Sequence, residues 1–249
     1  MRRILKPFRI LHLKSIYFAG VMGIQMIELR DISFSYGKRT ILKNLSVSAA
    51  AGECIVLAGP NGSGKSTALS IMAGVLRPDS GSVSVEGTVG FAPQGTALFE
   101  DMTAEDNLRF FAGLRKCAVP RDVPFGVERY LKTRVSKLSG GMKKQVSIAC
   151  ALLGDPDIVL LDEPCESLDV EYREELVQLV SGIKARGGVV IYVGHEPMEF
   201  ASFYDRLIFF GNGNAEYTRT QLSGNPADHS RLCNQFVNLF KREENLRER

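Results

Sequence analysis

The first chemistry visible in the chain lies in a glycine-rich run, Gly59-Pro60-Asn61-Gly62-Ser63-Gly64-Lys65-Ser66-Thr67. It satisfies G-x-x-x-x-G-K-[ST], follows the apolar stretch Cys54–Ala58 and opens a helical stretch running to about Ala73. The glycines let successive backbone N–H groups turn inward around an anion, and the start of the helix adds its positive dipole. Lys65 would then reach the β- and γ-phosphates of a nucleotide, and the Ser66 hydroxyl would ligate Mg²⁺. A plain strand–helix turn explains the glycines but not the Lys-Ser pair at this spacing. A second acidic element follows far along the chain: Ile158-Val159-Leu160-Leu161-Asp162-Glu163, an apolar strand ending in adjacent carboxylates. Asp162 would hold Mg²⁺ directly or through water, and Glu163 would face an attacking water as general base. Solvated carboxylates capping a strand would look the same in isolation, but beside a phosphate cradle they read as a nucleotide site.

Between these two elements stands Leu138-Ser139-Gly140-Gly141-Met142, followed by Lys143-Lys144-Gln145. As residue types alone it is an ordinary helix N-terminus, with Ser139 as cap. Its sequence and its place between cradle and acidic strand resemble the signature of the ATP-binding cassette (ABC) ATPases. The resemblance implies that Ser139, Gly140 and Gly141 bind the γ-phosphate of ATP held by an opposite subunit. It also implies that Tyr36 stacks on adenine and that Gln94 senses Mg²⁺ and water while linking the site to a partner domain. Ser167-Leu168-Asp169 would be the loop through which subunits communicate, and His195 the switch that contacts the γ-phosphate and positions the water. The likeness runs over about residues 26–215. Two departures stand out: Cys165, with Glu166 beside it, where the family often carries threonine, and Gly194 in place of a common threonine before the histidine. No group assigned to chemistry is missing, so an active ATPase is expected.

These residues need a frame to hold them. The 249 residues are 45% apolar and 24% charged, enough for one generous domain or a domain carrying an insertion, and unlike a disordered or collagenous chain. Five cysteines without a C-x-x-C pair suggest neither a zinc site nor a secreted disulfide scaffold. The net charge of +3 divides unevenly, because residues 1–25 carry five basic groups and no acid. The remainder holds 26 basic against 28 acidic residues, which is no footprint for nucleic acid. That basic leader, with an apolar stretch from Ile16 to Ile24, reads as a short signal peptide, as a membrane-surface helix, or as upstream sequence before a start at Met22 or Met26.

From Met26 short strands are expected over Met26–Arg30, Ile32–Tyr36 and Leu45–Ala49, then uninterrupted apolar strands at Cys54–Ala58, Val89–Ala92, Ile158–Leu161, Val189–Val193 and Leu207–Phe210. Apolar strands alternating with helical stretches argue an α/β core around a parallel sheet. With the resemblance, the expected class is a P-loop NTPase core with a mostly parallel sheet, an N-terminal antiparallel β subdomain and an inserted helical subdomain at about 95–153. Within that insert Thr103-Ala104-Glu105-Asp106 predicts a helix start, with Leu108, Phe111 and Leu114 on one face. A shorter helix is expected over Val127–Thr133, interrupted before it by Pro120 and Pro124. Val170–Arg186 predicts an amphipathic helix with Leu176, Leu179 and Ile183 on one stripe. The ATPase domain is bounded at 26–223, leaving a helical tail at 224–249 with a helix around Arg231–Lys241.

The resemblance further implies ATP and Mg²⁺ as ligands, and a homodimer or a heterodimer with a second ABC ATPase. Integral-membrane transporter subunits would be the mechanical partners, docking a coupling helix near Gln94, Leu98, Phe99 and Met102. Location would be cytoplasmic, at the inner face of the cell membrane. The compact insert and the lack of room for a regulatory domain lean towards export by analogy. The competing reading is a soluble ABC ATPase without transport. A single cassette argues against translation factors, the missing cysteine pairs against excision repair, and the missing heptad arm against cohesion types. An iron–sulfur cluster assembly ATPase, or a binding-only module, stays open on sequence.

Overall fold

The computed structural model describes residues 25–165, 170–211, 218–220 and 237–238. The leader up to residue 24, the loop 166–169 and, apart from residues 237–238, the expected tail helix therefore lie outside the described residues.

Two sheets carry the fold. An antiparallel sheet of three strands, in the order β2-β1-β4, is built from β1 (Gln25–Tyr36), β2 (Arg39–Ala50) and β4 (Ser80–Val85). A six-stranded sheet runs β5-β6-β7-β3-β8-β9, from β3 (Cys54–Ala58), β5 (Val89–Ala92), β6 (Ile158–Asp162), β7 (Val189–Val193), β8 (Arg206–Phe209) and β9 (Thr218–Thr220). Every pairing in it is parallel except β8 with β9.

The central strands β3, β6 and β7 are apolar up to Asp162, the last residue of β6, because both faces are covered. On one face Cys54, Val56, Val159, Leu161, Val190 and Tyr192 join the core shared with α2 (Ala104–Arg115), α3 (Gly140–Leu152) and α4 (Val170–Ala185). On the other, Ile55, Leu57, Ile158, Leu160, Val189 and Ile191 pack with α1 (Lys65–Met72) and the antiparallel sheet.

The two strands expected at the start are one. Asp31 takes the left-handed conformation, φ 51°, and the β1–β2 register shifts between Leu29 and Ile32. This bulge lets Leu29 and Ile32, three residues apart, both point into the core, which strict alternation forbids. The edge strand β4 is almost wholly exposed, and its Ser-Gly-rich sequence gave no apolar signal.

In the insert, Thr103 caps α2 in a full capping box with Asp106, as the sequence predicts. The expected face holds only in part: Leu108 is buried and Phe111 packs against the core. Leu114 is 65% exposed, and the buried stripe is Ala104, Asn107, Leu108 and Ala112. Steps of three residues drift about 60° around a helix, so Leu114 has turned well away from Leu108. The shorter helix is also different: a 3-10 segment spans Pro124–Tyr130, with Phe125 (φ 66°) and Gly126 (φ 63°) outside helical geometry, and a second spans Val135–Lys137. Pro124 opens this turn rather than interrupting it, since a first-turn proline loses no hydrogen bond. Phe125 is fixed from outside, its N–H donating to Glu175 Oε1 (2.5 Å) and its ring lying 4.6 Å from that of Tyr172.

Candidate nucleotide site

The loop from Gly59 to Gly64 runs from the end of β3 into α1, at the carboxyl edge of the parallel sheet where open α/β sheets bind ligands. Gly64 stands at the N-cap with φ 101° and offers no side-chain cap, so the first amides of α1 lack a side-chain acceptor. Lys65 is buried, its ammonium donating to the carbonyls of Gly59 (2.8 Å) and Pro60 (3.0 Å). Burial lowers its pKa, while the Glu163 and Asp162 carboxylates oppose that shift. The buried Ser63 hydroxyl finds no protein partner among the described residues, a free donor in the wall of the loop.

Across the loop stands the end of β6. The Ser66 hydroxyl donates to Asp162 Oδ1 at 3.1 Å. Burial raises the Asp162 pKa, with the Ser66 hydrogen bond the largest opposing effect. Glu163 follows with φ 47°, its N–H donating to the Val193 carbonyl (3.0 Å), so the chain turns sharply and the carboxylate points back over the loop. Gln94, beyond β5, donates from Nε2 to Glu163 Oε2 at 2.7 Å. His195, beyond β7, brings Nδ1 to 3.9 Å from Glu163 Oε1. Three neighbouring strands thus deliver three polar side chains to one point.

A cavity of about 500 Å³ opens here, lined among others by Asn61, Gly62, Gly64, Lys65, Ser66, Thr67, Gln94 and Glu163, with Asp162 and His195 outside its lining. Tyr36 stands at its rim, 55% exposed and edge-on to Phe34. Arg39 also lines this cavity, and sequence reasoning missed it; its place in the turn beside Tyr36 was the available signal. Ser139, Gly140 and Gly141 do not line it. They begin α3 elsewhere, where Ser139 Oγ accepts the Met142 N–H at 3.2 Å, and Ser139 and Gly140 are exposed. Asp169 lies outside the described residues.

The donor set suits a hard divalent cation shared with a phosphate. Ser66 and Asp162 present two oxygens, with Gln94 close by, and no cluster of three or more His, Cys, Asp or Glu exists among the described residues. Mg²⁺ is typically held this way, by one or two protein oxygens with the rest from phosphate and water.

Both departures in the sequence have local settings. A Cβ on Gly194 would lie 2.4 Å from Cε1 of Tyr192, whose hydroxyl donates to the buried Glu199 (3.0 Å); that ring occupies the room a threonine would need. Cys165 is buried, and burial pushes its thiol up to about 11, a value without nucleophilic character near neutrality.

A phosphate loop after one parallel strand, faced by a carboxylate-ended strand two places along the same sheet, defines a P-loop nucleoside triphosphatase. A family described as ABC transporter matches residues 42–166. The linearmycin resistance ATP-binding protein LnrL of Bacillus subtilis is 32% identical over 219 residues, covering 79% of this chain and 70% of that protein. The Nod factor export ATP-binding protein I of Paraburkholderia xenovorans is 34% identical over 207 residues, 75% of this chain and 68% of that one. The dimeric ATP-binding cassette MJ0796, solved in a post-hydrolysis state bound to ADP and Pi, superposes with a TM-score of 0.68 at 27% identity, covering 78% of this chain and 98% of that one. The chain belongs to the ABC transporter family, as an ATP-binding subunit. It hydrolyses ATP. No helix among the described residues is long and apolar enough to cross a membrane.

Proposed function

We propose that two copies of this chain close head to tail on two molecules of ATP with Mg²⁺, and that the closing and opening of the pair drives export through membrane subunits from the cytoplasmic face. One observation carries the reading. Lys65, Ser66, Gln94 and Glu163 line one cavity, whereas Ser139-Gly140-Gly141, the other anion-binding element, stands outside it with Ser139 and Gly140 exposed. Each chain therefore holds one complete cradle and one spare wall, and a two-fold axis pairs them into two equal sites.

In this reading the amides of Asn61 to Ser66 and the Lys65 ammonium bind the β- and γ-phosphates, and Tyr36 stacks on the adenine. The Ser66 and Asp162 oxygens, with Gln94, hold the Mg²⁺, which neutralises charge on the phosphate oxygens when bound. Glu163 accepts the proton of the attacking water as it adds in line to the γ-phosphorus, the bond from that phosphorus to the β–γ bridging oxygen breaks so that ADP leaves, and Gln94 keeps the carboxylate aimed through its 2.7 Å hydrogen bond. His195, on the other side of Glu163, orients the water and touches the γ-phosphate. Loss of the γ-phosphate removes what Ser139 of the second copy holds, and the pair reopens. Asp169 would take part in the communication between the copies.

The membrane partner meets the groove of about 160 Å³ between the end of β5 and α2, lined by Val75, Phe91, Pro93, Leu98 and Phe111. It adjoins Gln94, so a segment seated there touches the loop that holds Glu163. Export as the direction draws on the relative named for Nod factor export. The test is Glu163→Gln: ATP affinity by calorimetry stays within about two-fold, and turnover falls by about a thousand-fold. Hydrolysis at the parental rate would remove Glu163 from the role of base.

A further inference from the structure

Lys144 is one of few charged side chains in the core, 5% exposed, on the inward stripe of α3 with Ile148 and Ala151. An ammonium has three protons to donate, and three main-chain carbonyls receive them: Asp162 at 2.7 Å, Pro93 at 2.9 Å and Gln94 at 3.2 Å. Two of these follow β5 and the third ends β6. They belong to the two segments that deliver Gln94 and Glu163. The neighbouring parallel strands have ended their ladder at Ala92 and Leu161, so from that point no main-chain pairing fixes one segment to the other. The lysine bridges the gap from a third element.

Its position on that element matters as much. Lys144 lies five residues after Ser139, about 7.5 Å along a rigid helix. One end of α3 thus faces whatever approaches Ser139, and the next turn grips the main chain behind the chain's own Gln94–Glu163 pair. A buried cation is costly unless fully hydrogen-bonded, and an apolar side chain of similar length fills the same space without that cost. The three bonds, rather than the volume, are what the ammonium supplies.

We propose that Lys144 is a positioning residue that locks the Gln94 segment to the Asp162–Glu163 segment and conveys to them any displacement of the Ser139 end of α3. On the dimer reading above, nucleotide held by the second copy against Ser139 thereby tightens the hydrolytic pair of this copy, so the two sites fire in concert. The lysine touches neither nucleotide nor water, and its effect belongs to turnover and cooperativity, not to affinity.

The test compares the full chain with Lys144→Met, Lys144→Arg and Lys144→Gln, by steady-state hydrolysis across ATP concentration and by calorimetric binding of Mg-ATP. The parent is expected to show a Hill coefficient above 1. Lys144→Met keeps its affinity within about two-fold, loses at least about ten-fold in kcat and brings the Hill coefficient to about 1. Lys144→Arg, which retains donors, recovers part of both. A parental kcat and Hill coefficient in Lys144→Met overturns the proposal, as does a loss of kcat with cooperativity intact and no recovery in arginine. Should the methionine variant fail to fold, Lys144→Gln, with two donors for three carbonyls, is expected between parent and loss; parental values there overturn it equally. A parent that hydrolyses ATP with a Hill coefficient of 1 and keeps a single-chain mass at saturating Mg-ATP refutes the dimer reading instead, so the two failures are distinguishable.

Discussion

The proposed function assigns anions to two helix starts, and they differ in how far one chain completes them. At α1 the N-cap is a glycine without a side-chain bond, Ser63 beside it is buried with a free hydroxyl, and Lys65, Ser66, Gln94 and Glu163 surround the opening. At α3 the cap is Ser139, bonded to its own helix, and Ser139 and Gly140 face solvent. α2 shows what a purely structural start looks like: a capping box in which Thr103 and Asp106 satisfy each other. The first start is uncapped within a walled cavity, the second is capped and bare. That contrast is what a shared site requires, because a donor group meant for another molecule must stay accessible while its own helix remains stable.

The contrast can be broken at either end. Glu163→Gln is expected to produce the largest effect, a loss of turnover of about a thousand-fold with binding preserved, since it removes the proposed base and leaves the cradle intact. Lys65→Ala comes next and acts on binding: the loss of a charge-assisted contact weakens ATP affinity by about ten- to a hundred-fold in calorimetry. Ser139→Ala separates the two starts. Binding of ATP to the single chain stays within about two-fold, while hydrolysis falls by about ten-fold and Tm drops by about 2–4 °C as the cap is lost. Single-chain affinity falling along with hydrolysis would mean that both starts serve one pocket.

The smallest effect sharpens the boundary of the finished half. Burial raises the Glu199 pKa, Glu196 raises it further, and the Tyr192 hydroxyl, His195 and Arg173 oppose the shift; the Cys165 thiol completes the cluster around the Tyr192 hydroxyl. A carboxyl whose folded pKa lies above its unfolded value favours the fold while protonated, and that contribution is lost as pH rises through the folded pKa. Glu199→Gln is therefore expected to raise Tm by about 2–4 °C at pH 8, with the gain vanishing near pH 4, in thermal melts across that range. A gain that is constant with pH would mean that Glu199 does not titrate there.

The cradle, the acidic strand and Ser139 were legible because each pairs a fixed spacing with a flank: an apolar strand before Gly59, another before Asp162, a helix after Ser139. The central strands were legible because burial on both faces leaves them apolar up to Asp162 at the end of β6. What escaped depends on contacts remote in sequence. The bulge at Asp31 makes one strand read as two, and Phe125 is held by Glu175 and Tyr172, fifty and forty-seven residues away. Lys144 went unnoticed because charged residues are ordinarily read as solvent-facing, although its spacing of four and seven from Ile148 and Ala151 put it on the buried stripe. Arg39 offered only proximity to Tyr36. The readings at Asp169 and at the leader fall on residues outside those described.

The most direct measurement is the mass of Glu163→Gln by light scattering, with and without Mg-ATP, alongside the same chain carrying Ser139→Arg. The first is expected to double its mass when nucleotide is added, and the second to remain a single chain although calorimetry still shows it saturated with ATP. A single-chain mass for both variants at saturating ATP, or a dimer indifferent to Ser139→Arg, would contradict a site shared between two copies.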